Sequence, residues 1–149
     1  MALTRFKDAR SGYDGPVSGA LQHWSMFVSA GANSGVYIGE LLLPAGMKIY
    51  VTDIVASTSA AVTSDPAIKV GTSDSGAALV AETALPSNTA TALTIVTGAN
   101  LQGSDSAVTR IRVTITNDSG DAFVDGNVTI TYFVAQPPLS VVVRGITHF

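Results

Sequence analysis

The chain has 149 residues, enough for one domain whose core takes roughly two-thirds of the unfolded chain's surface out of water. Charged residues are 13% of it, about half the ordinary share, and mean hydropathy is positive, so the surface has to be Ser, Thr, Gly and Ala rather than Lys and Glu. A net charge of −3 excludes a field strong enough to gather nucleic acid over the whole domain, and the lack of cysteine excludes disulfides and thiolate metal sites.

Residues 1–18 open with Arg5, Lys7 and Arg10 against a single acid in the first ten positions, Asp8. They continue through "RSGYDGPVSG", which holds Tyr13 and is rich in Gly, Ser and Pro without a sustained pattern. This is an extended N-terminal arm. Its three basic residues suit an acidic partner or a phosphate, while a short solvated terminus is the plainer reading.

The next segment, "ALQHWSMFVSA", is ambiguous. Leu21, Trp24 and Val28 have helical spacing, whereas Gln22, Trp24, Met26 and Val28 have strand spacing; the strand reading is preferred and a short helix stays open. "GVYIGELLLPAGMKIYVTDIVAS" is expected to form two strands joined at Pro44-Ala45-Gly46, where Pro sets φ for a turn and Gly accepts a positive φ. "AIKVGTS", "AALVAE" and "TALTIVTG" add three short strands between Asp-Pro, Ser-Gly and Pro-Ser-Asn punctuation.

In "TRIRVTITND" Ile111, Val113 and Ile115 alternate with Arg110, Arg112, Thr114 and Thr116, and in "GNVTITYFVAQ" Val128, Ile130, Tyr132 and Val134 alternate with Thr129, Thr131 and Phe133. A period of two marks half-buried strands. The intervening "NDSGDAFVDG" reads as a long hairpin connection, which makes the two strands adjacent and antiparallel. The predicted fold is therefore all-β, an antiparallel β-sandwich or jelly roll of about seven to eight strands over residues 19–135.

Residues 136–149 form a tail. Pro137 and Pro138 cannot donate to a ladder and end the preceding strand. Beyond them Val141, Val142 and Val143, followed by Arg144 and the terminal Phe149, make an apolar run that suits burial on both faces. Either the tail adds to its own sheet, or it adds to a neighbour's by β-augmentation.

Signals for chemistry are weak, and the expectation is a protein that is not an enzyme. His148 sits on the tail, and His23, beside Trp24, is expected in or beside the core or at an interface. "GTSDSG" lies between two strands rather than in the strand-to-helix turn of a nucleophile elbow, and a hairpin loop explains it. Glu40 and Glu82 read as outward strand residues rather than a glycosidase pair. Asp118, Asp121 and Asp125 raise a calcium site, but they lack the regular ligand spacing and a bidentate Glu, so a turn explains them better. No phosphate loop or dinucleotide fingerprint occurs, so no cofactor and no metal are expected. Neither a run of about 18 apolar residues nor a secretion signal is visible, which predicts synthesis in a cytosol and no membrane partner.

"GELLLPAGMKIYVTDIVAST", "PAIKVGTSDSGAALVAE" and "VTITNDSGDAFVDGNVTITYFV" together resemble the small Ala/Thr/Gly-rich β proteins in the structural modules of tailed bacteriophages. The likeness is to capsid decoration or cement proteins and to small tail or fibre components, and it covers about residues 35–135. It implies a virion location, a major capsid protein or other virion subunit as partner, and a homo-oligomer, a trimer above all. Two functions are then open. As a cement protein, the chain would dock its sandwich on a shell and bridge subunits with its extensions, using Arg5, Lys7, Arg10, Val141, Val142, Val143, Arg144 and Phe149. As a tail-fibre or host-recognition module, it would stack Tyr13 and Trp24 on a sugar or receptor. Sequence-specific nucleic-acid binding is not expected.

Overall fold

The computed structural model describes residues 20–28, 35–58, 66–72, 78–117 and 126–137. Among them the chain forms β1 (Leu21–Val28), β2 (Gly35–Leu43), β3 (Lys48–Thr58), β4 (Ala67–Gly71), β5 (Val80–Ala84), β6 (Thr91–Ala92), β7 (Leu101–Gly103), β8 (Thr109–Asn117) and β9 (Gly126–Gln136). One sheet runs β1-β9-β3-β6, with β7 also on β3; the other runs β2-β8-β4-β5, and every pairing is antiparallel. The predicted antiparallel sandwich is the fold, with nine described strands where about seven to eight were expected. The additional strand is β7, three residues too short to show a period.

Alternation places the core as the sequence implies. Ile111, Val113 and Ile115 of β8 face Val128, Ile130, Tyr132 and Val134 of β9 across the sandwich, with Ile49, Val51 and Ile54 of β3 and Ile68 and Val70 of β4 completing the layer. The ambiguous segment at residue 21 is a strand, and its inward set is Gln22, Trp24, Met26 and Val28. On β2 the inward set is Tyr37, Gly39, Leu41 and Leu43, and the outward set is Val36, Ile38, Glu40 and Leu42.

Two expectations are corrected. The strands β8 and β9 are not neighbours; they lie in different sheets. Alternation reports which face is buried, not which strand sits alongside, and eight residues between them are ample to cross the roughly 10 Å separating packed sheets. Among consecutive described strands only β4 and β5 pair with each other, as the hairpin reading of "GTSDSG" requires, although residues 73–77 of that loop lie outside the described residues.

The second correction concerns "TALTIVTG", of which only Thr91 and Ala92 join a ladder. Its backbone divides between the sheets: Leu93 N donates to Ile54 O at 2.7 Å, and Val96 N donates to Leu79 O at 2.7 Å. Leu93 is buried and Ile95 packs on the core, so this segment closes one side of the sandwich instead of extending a sheet. The turn at Pro44 is as expected: Gly46 has φ 84° and Met47 N donates to Pro44 O at 3.0 Å, and the turn carries the chain from one sheet to the other.

Candidate functional site

The outer faces of the two sheets carry the features that call for a partner. On the β1-β9-β3 sheet, register aligns Leu21 with Phe133, Phe133 with Tyr50, and Tyr50 with Leu101. Residues directly opposite point to the same side, so four apolar side chains form one row across four strands. Leu21 is 61%, Tyr50 40% and Leu101 54% exposed, while the Tyr50 and Phe133 rings stack at 5.3 Å with 19° between planes. Next to the row the face turns polar: His23 Nδ1 lies 3.1 Å from Thr131 Oγ1, and Ser25 Oγ lies 2.9 Å from Thr129 Oγ1. His23 is therefore an exposed surface residue and not a core one, because it occupies the outward parity of β1.

The row lies at the end of the sandwich from which the chain enters β1 and leaves β9. Leu21 is the first residue of β1, and Gln136, the last of β9, pairs with Lys48 at the start of β3. Asp105 gathers that end together, accepting from Lys48 Nζ at 3.1 Å and from Gln136 Nε2 at 3.4 Å.

The second feature is β2. Among the described residues it pairs with β8 alone. Its outward Val36, Ile38 and Leu42 are each more than half exposed. Between them Glu40 accepts from Arg112 Nη2, directly across on β8, and from Arg110 Nη1 at 3.3 Å. Arg112 is nearly buried while Arg110 is open to solvent, so the first pair is shielded and the second is not. The strand β1 lies over β2 on the inner side. A Cβ built on Gly39 would stand 2.8 Å from Met26 Sδ and 2.9 Å from Trp24 Cη2, so any larger residue there has to displace the Met26 and Trp24 side chains.

Of the residues the sequence singles out, Trp24 is described and is half-buried against the core and Gly39, with its ring engaged in packing. Arg5, Lys7, Arg10, Tyr13, Val141, Val142, Val143, Arg144 and Phe149 lie outside the described residues, as do His148, Asp118, Asp121 and Asp125. Glu40 does face outward, as expected, but as the centre of an ion-pair cluster. Glu82 is exposed on β5 and lines a shallow open groove of about 460 Å³ with Val80, Pro86, Thr91 and Val96. That groove has no aromatic wall on which a sugar could stack. Among the described residues no group of three His, Asp or Glu is placed to hold a metal ion, and no helix is long and apolar enough to cross a membrane.

Sequence reasoning missed the row of Leu21, Phe133, Tyr50 and Leu101, because only cross-strand register brings these four together. The β2 signal was readable. "VYIGELLL" is apolar at both parities, a pattern that calls for cover on both faces.

No family model matches the chain, and no curated protein matches it. Among solved structures it is similar to a chain of the "Cyanophage Pam1 capsid asymmetric unit", with 14% identity over 84% of this chain and 94% of that one and a TM-score of 0.47.

Proposed function

We propose that the chain is a non-enzymatic virion structural protein, a decoration or cement protein that binds a major capsid protein through its sandwich and terminal extensions and associates as a trimer. The observation that supports this best is the row of Leu21, Phe133, Tyr50 and Leu101 beside both exits of the described chain. An apolar strip rimmed by His, Ser and Thr has the composition of a docking face, apolar at the centre and polar around it. Extensions leaving beside it add their own contacts after the sandwich has docked, which raises avidity without enlarging the face.

The exposed parts of Leu21, Tyr50 and Leu101 amount to about one and a half side chains, which covering would stabilise by roughly 2–5 kcal/mol. Replacing Leu21 and Leu101 together by Ser leaves the fold intact, since both face solvent, and weakens binding about 10- to 300-fold. The test is co-sedimentation with empty shells of the cognate capsid protein. Binding by the wild type and its loss in the double variant support the reading; equal pelleting of both, or of neither, refutes it.

The fibre reading keeps one observation, the exposed Tyr50 ring, although Phe133 occupies one of its faces. Retention on glycans or host cells, abolished by Tyr50→Ala, would favour that reading over the shell.

A further inference from the structure

We infer that a second copy of this chain seats the outward ridge of its β2, formed by Val36, Ile38 and Leu42, in the groove between β5 and residues 91–96, with its Arg110 reaching Glu82. This rests on the self-association in the proposed function and names the two surfaces that carry it.

Register builds the ridge. On the outer face of the second sheet Leu42 stands opposite Arg110, Glu40 opposite Arg112 and Ile38 opposite Thr114. Val36, Ile38 and Leu42 are 59%, 51% and 59% exposed, an apolar margin along one strand. Glu40 interrupts that margin, but Arg112 and Arg110 hold its carboxylate, so covering the ridge strands no unpaired acid. Behind the ridge the face is cationic: β2, β8 and β4 together carry Arg110, Arg112 and Lys69 against the one carboxylate of Glu40. A chain with a net charge of −3 thus presents a face of the opposite sign, which suits the rest of its own surface.

The receiving surface lies at the other end of the strand order β2-β8-β4-β5. There the groove of about 460 Å³ has Val80, Ala84, Pro86, Leu93 and Val96 among its walls, and Glu82 is its one charged group. Val96 is 42% exposed, and Glu82 is exposed with no cation paired to it among the described residues. An aliphatic ridge flanked by a cation and an aliphatic groove holding a carboxylate match in shape and in sign. Arg110 Nη1 meets Glu40 at a long 3.3 Å, and its guanidinium keeps donors for a second carboxylate.

Ridge and groove are different surfaces, so the contact is heterologous: each copy gives its ridge to one neighbour and its groove to another. The ridge is on an outer face and the groove on a lateral side of the sandwich, between the edges of the two sheets. Each contact therefore turns the next copy, the condition for a ring rather than a flat row. The row of Leu21, Phe133, Tyr50 and Leu101 belongs to the other sheet and stays open to the shell. Three side chains in one groove make a small contact by the standard of stable interfaces, so the ridge sets the geometry while the extensions of the proposed function supply the remaining hold.

Sedimentation velocity of the full chain, with no shell present, reads this contact. Arg110→Glu and Glu82→Arg each set like charges together and are expected to weaken self-association about tenfold or more, while the chain carrying both restores the pair with its signs exchanged and recovers most of the loss. Ile38→Ser with Leu42→Ser, both at exposed positions, is expected to remove the oligomer and leave the Trp24 fluorescence melt unchanged. The inference is overturned if Glu82→Arg associates like the wild type, if the exchanged pair is no better than the single variants, or if the ridge variant keeps the oligomer. Each of those results leaves self-association standing and rejects only these surfaces. A wild type that sediments as a single copy rejects both, and shell binding is read apart from either by pelleting.

Discussion

Gly39 is the most sensitive point of contact between the two sheets at the β1–β2 side. A Cβ there meets Met26 Sδ at 2.8 Å, Trp24 Cη2 at 2.9 Å and Met26 Cγ at 3.0 Å, against ordinary contacts of about 3.4–4 Å. Gly39→Val adds three carbons to that space. Overpacking of this kind costs about 1–3 kcal/mol, and the upper half applies because the Trp24 ring is rigid; the strand preference of Val returns at most about 1 kcal/mol. The net loss is about 2 kcal/mol, which for a chain of this size lowers Tm by about 4–8 °C. Trp24 is the single tryptophan, so its fluorescence reports the contact itself during the melt. Met26→Ala removes two of the three clashing atoms, and the double variant should recover about 1 kcal/mol relative to the sum of the singles. If Gly39→Val melts with the wild type and the two changes add independently, β1 does not lie on β2, and the account of this side of the molecule is wrong.

Glu40→Ala strips the carboxylate from the nearly buried Arg112 and should cost about 2–4 kcal/mol, whereas Arg110→Ala, at a solvent-exposed pair, should cost under about 1 kcal/mol; urea titration of both variants checks the order. Burial raises the Tyr132 pKa above its ordinary value of 10.0, so the folded chain holds the phenolic proton to a pH at which the unfolded chain has released it. Stability therefore falls as pH rises above about 10, and Tyr132→Phe should flatten that fall in melts recorded between about pH 9 and 11.5. If the two chains lose stability in parallel, the Tyr132 ring is solvated.

The layer structure was legible because its period is simple: β9 alternates cleanly, β8 alternates in residue type although Arg112 and Thr114 on its outer side are also buried, and every apolar residue assigned to their inner faces is in the core. Partnership was not legible. The same alternation fits a strand whether its neighbour lies beside it or across the core, so β8 and β9 were joined in a hairpin that does not exist. Thr91–Gly98 misled for a related reason. Its β-branched residues serve a segment that bonds to both sheets, and local preference cannot report a divided backbone. The candidate site splits in the same way. The two-sided apolar character of β2 is written in "VYIGELLL", while Leu21, Phe133, Tyr50 and Leu101 are far apart in sequence and meet only through three separate ladders.

The central claim is that the apolar row of Leu21, Phe133, Tyr50 and Leu101 is covered by another subunit. Sedimentation velocity of the intact chain, beside a chain lacking residues 137–149, tests it most directly. The account predicts a closed oligomer, three copies favoured, for the intact chain and a folded single copy for the shortened one. An intact chain that sediments as a 15.2 kDa single copy throughout the micromolar range, or a shortened chain that unfolds, would contradict it.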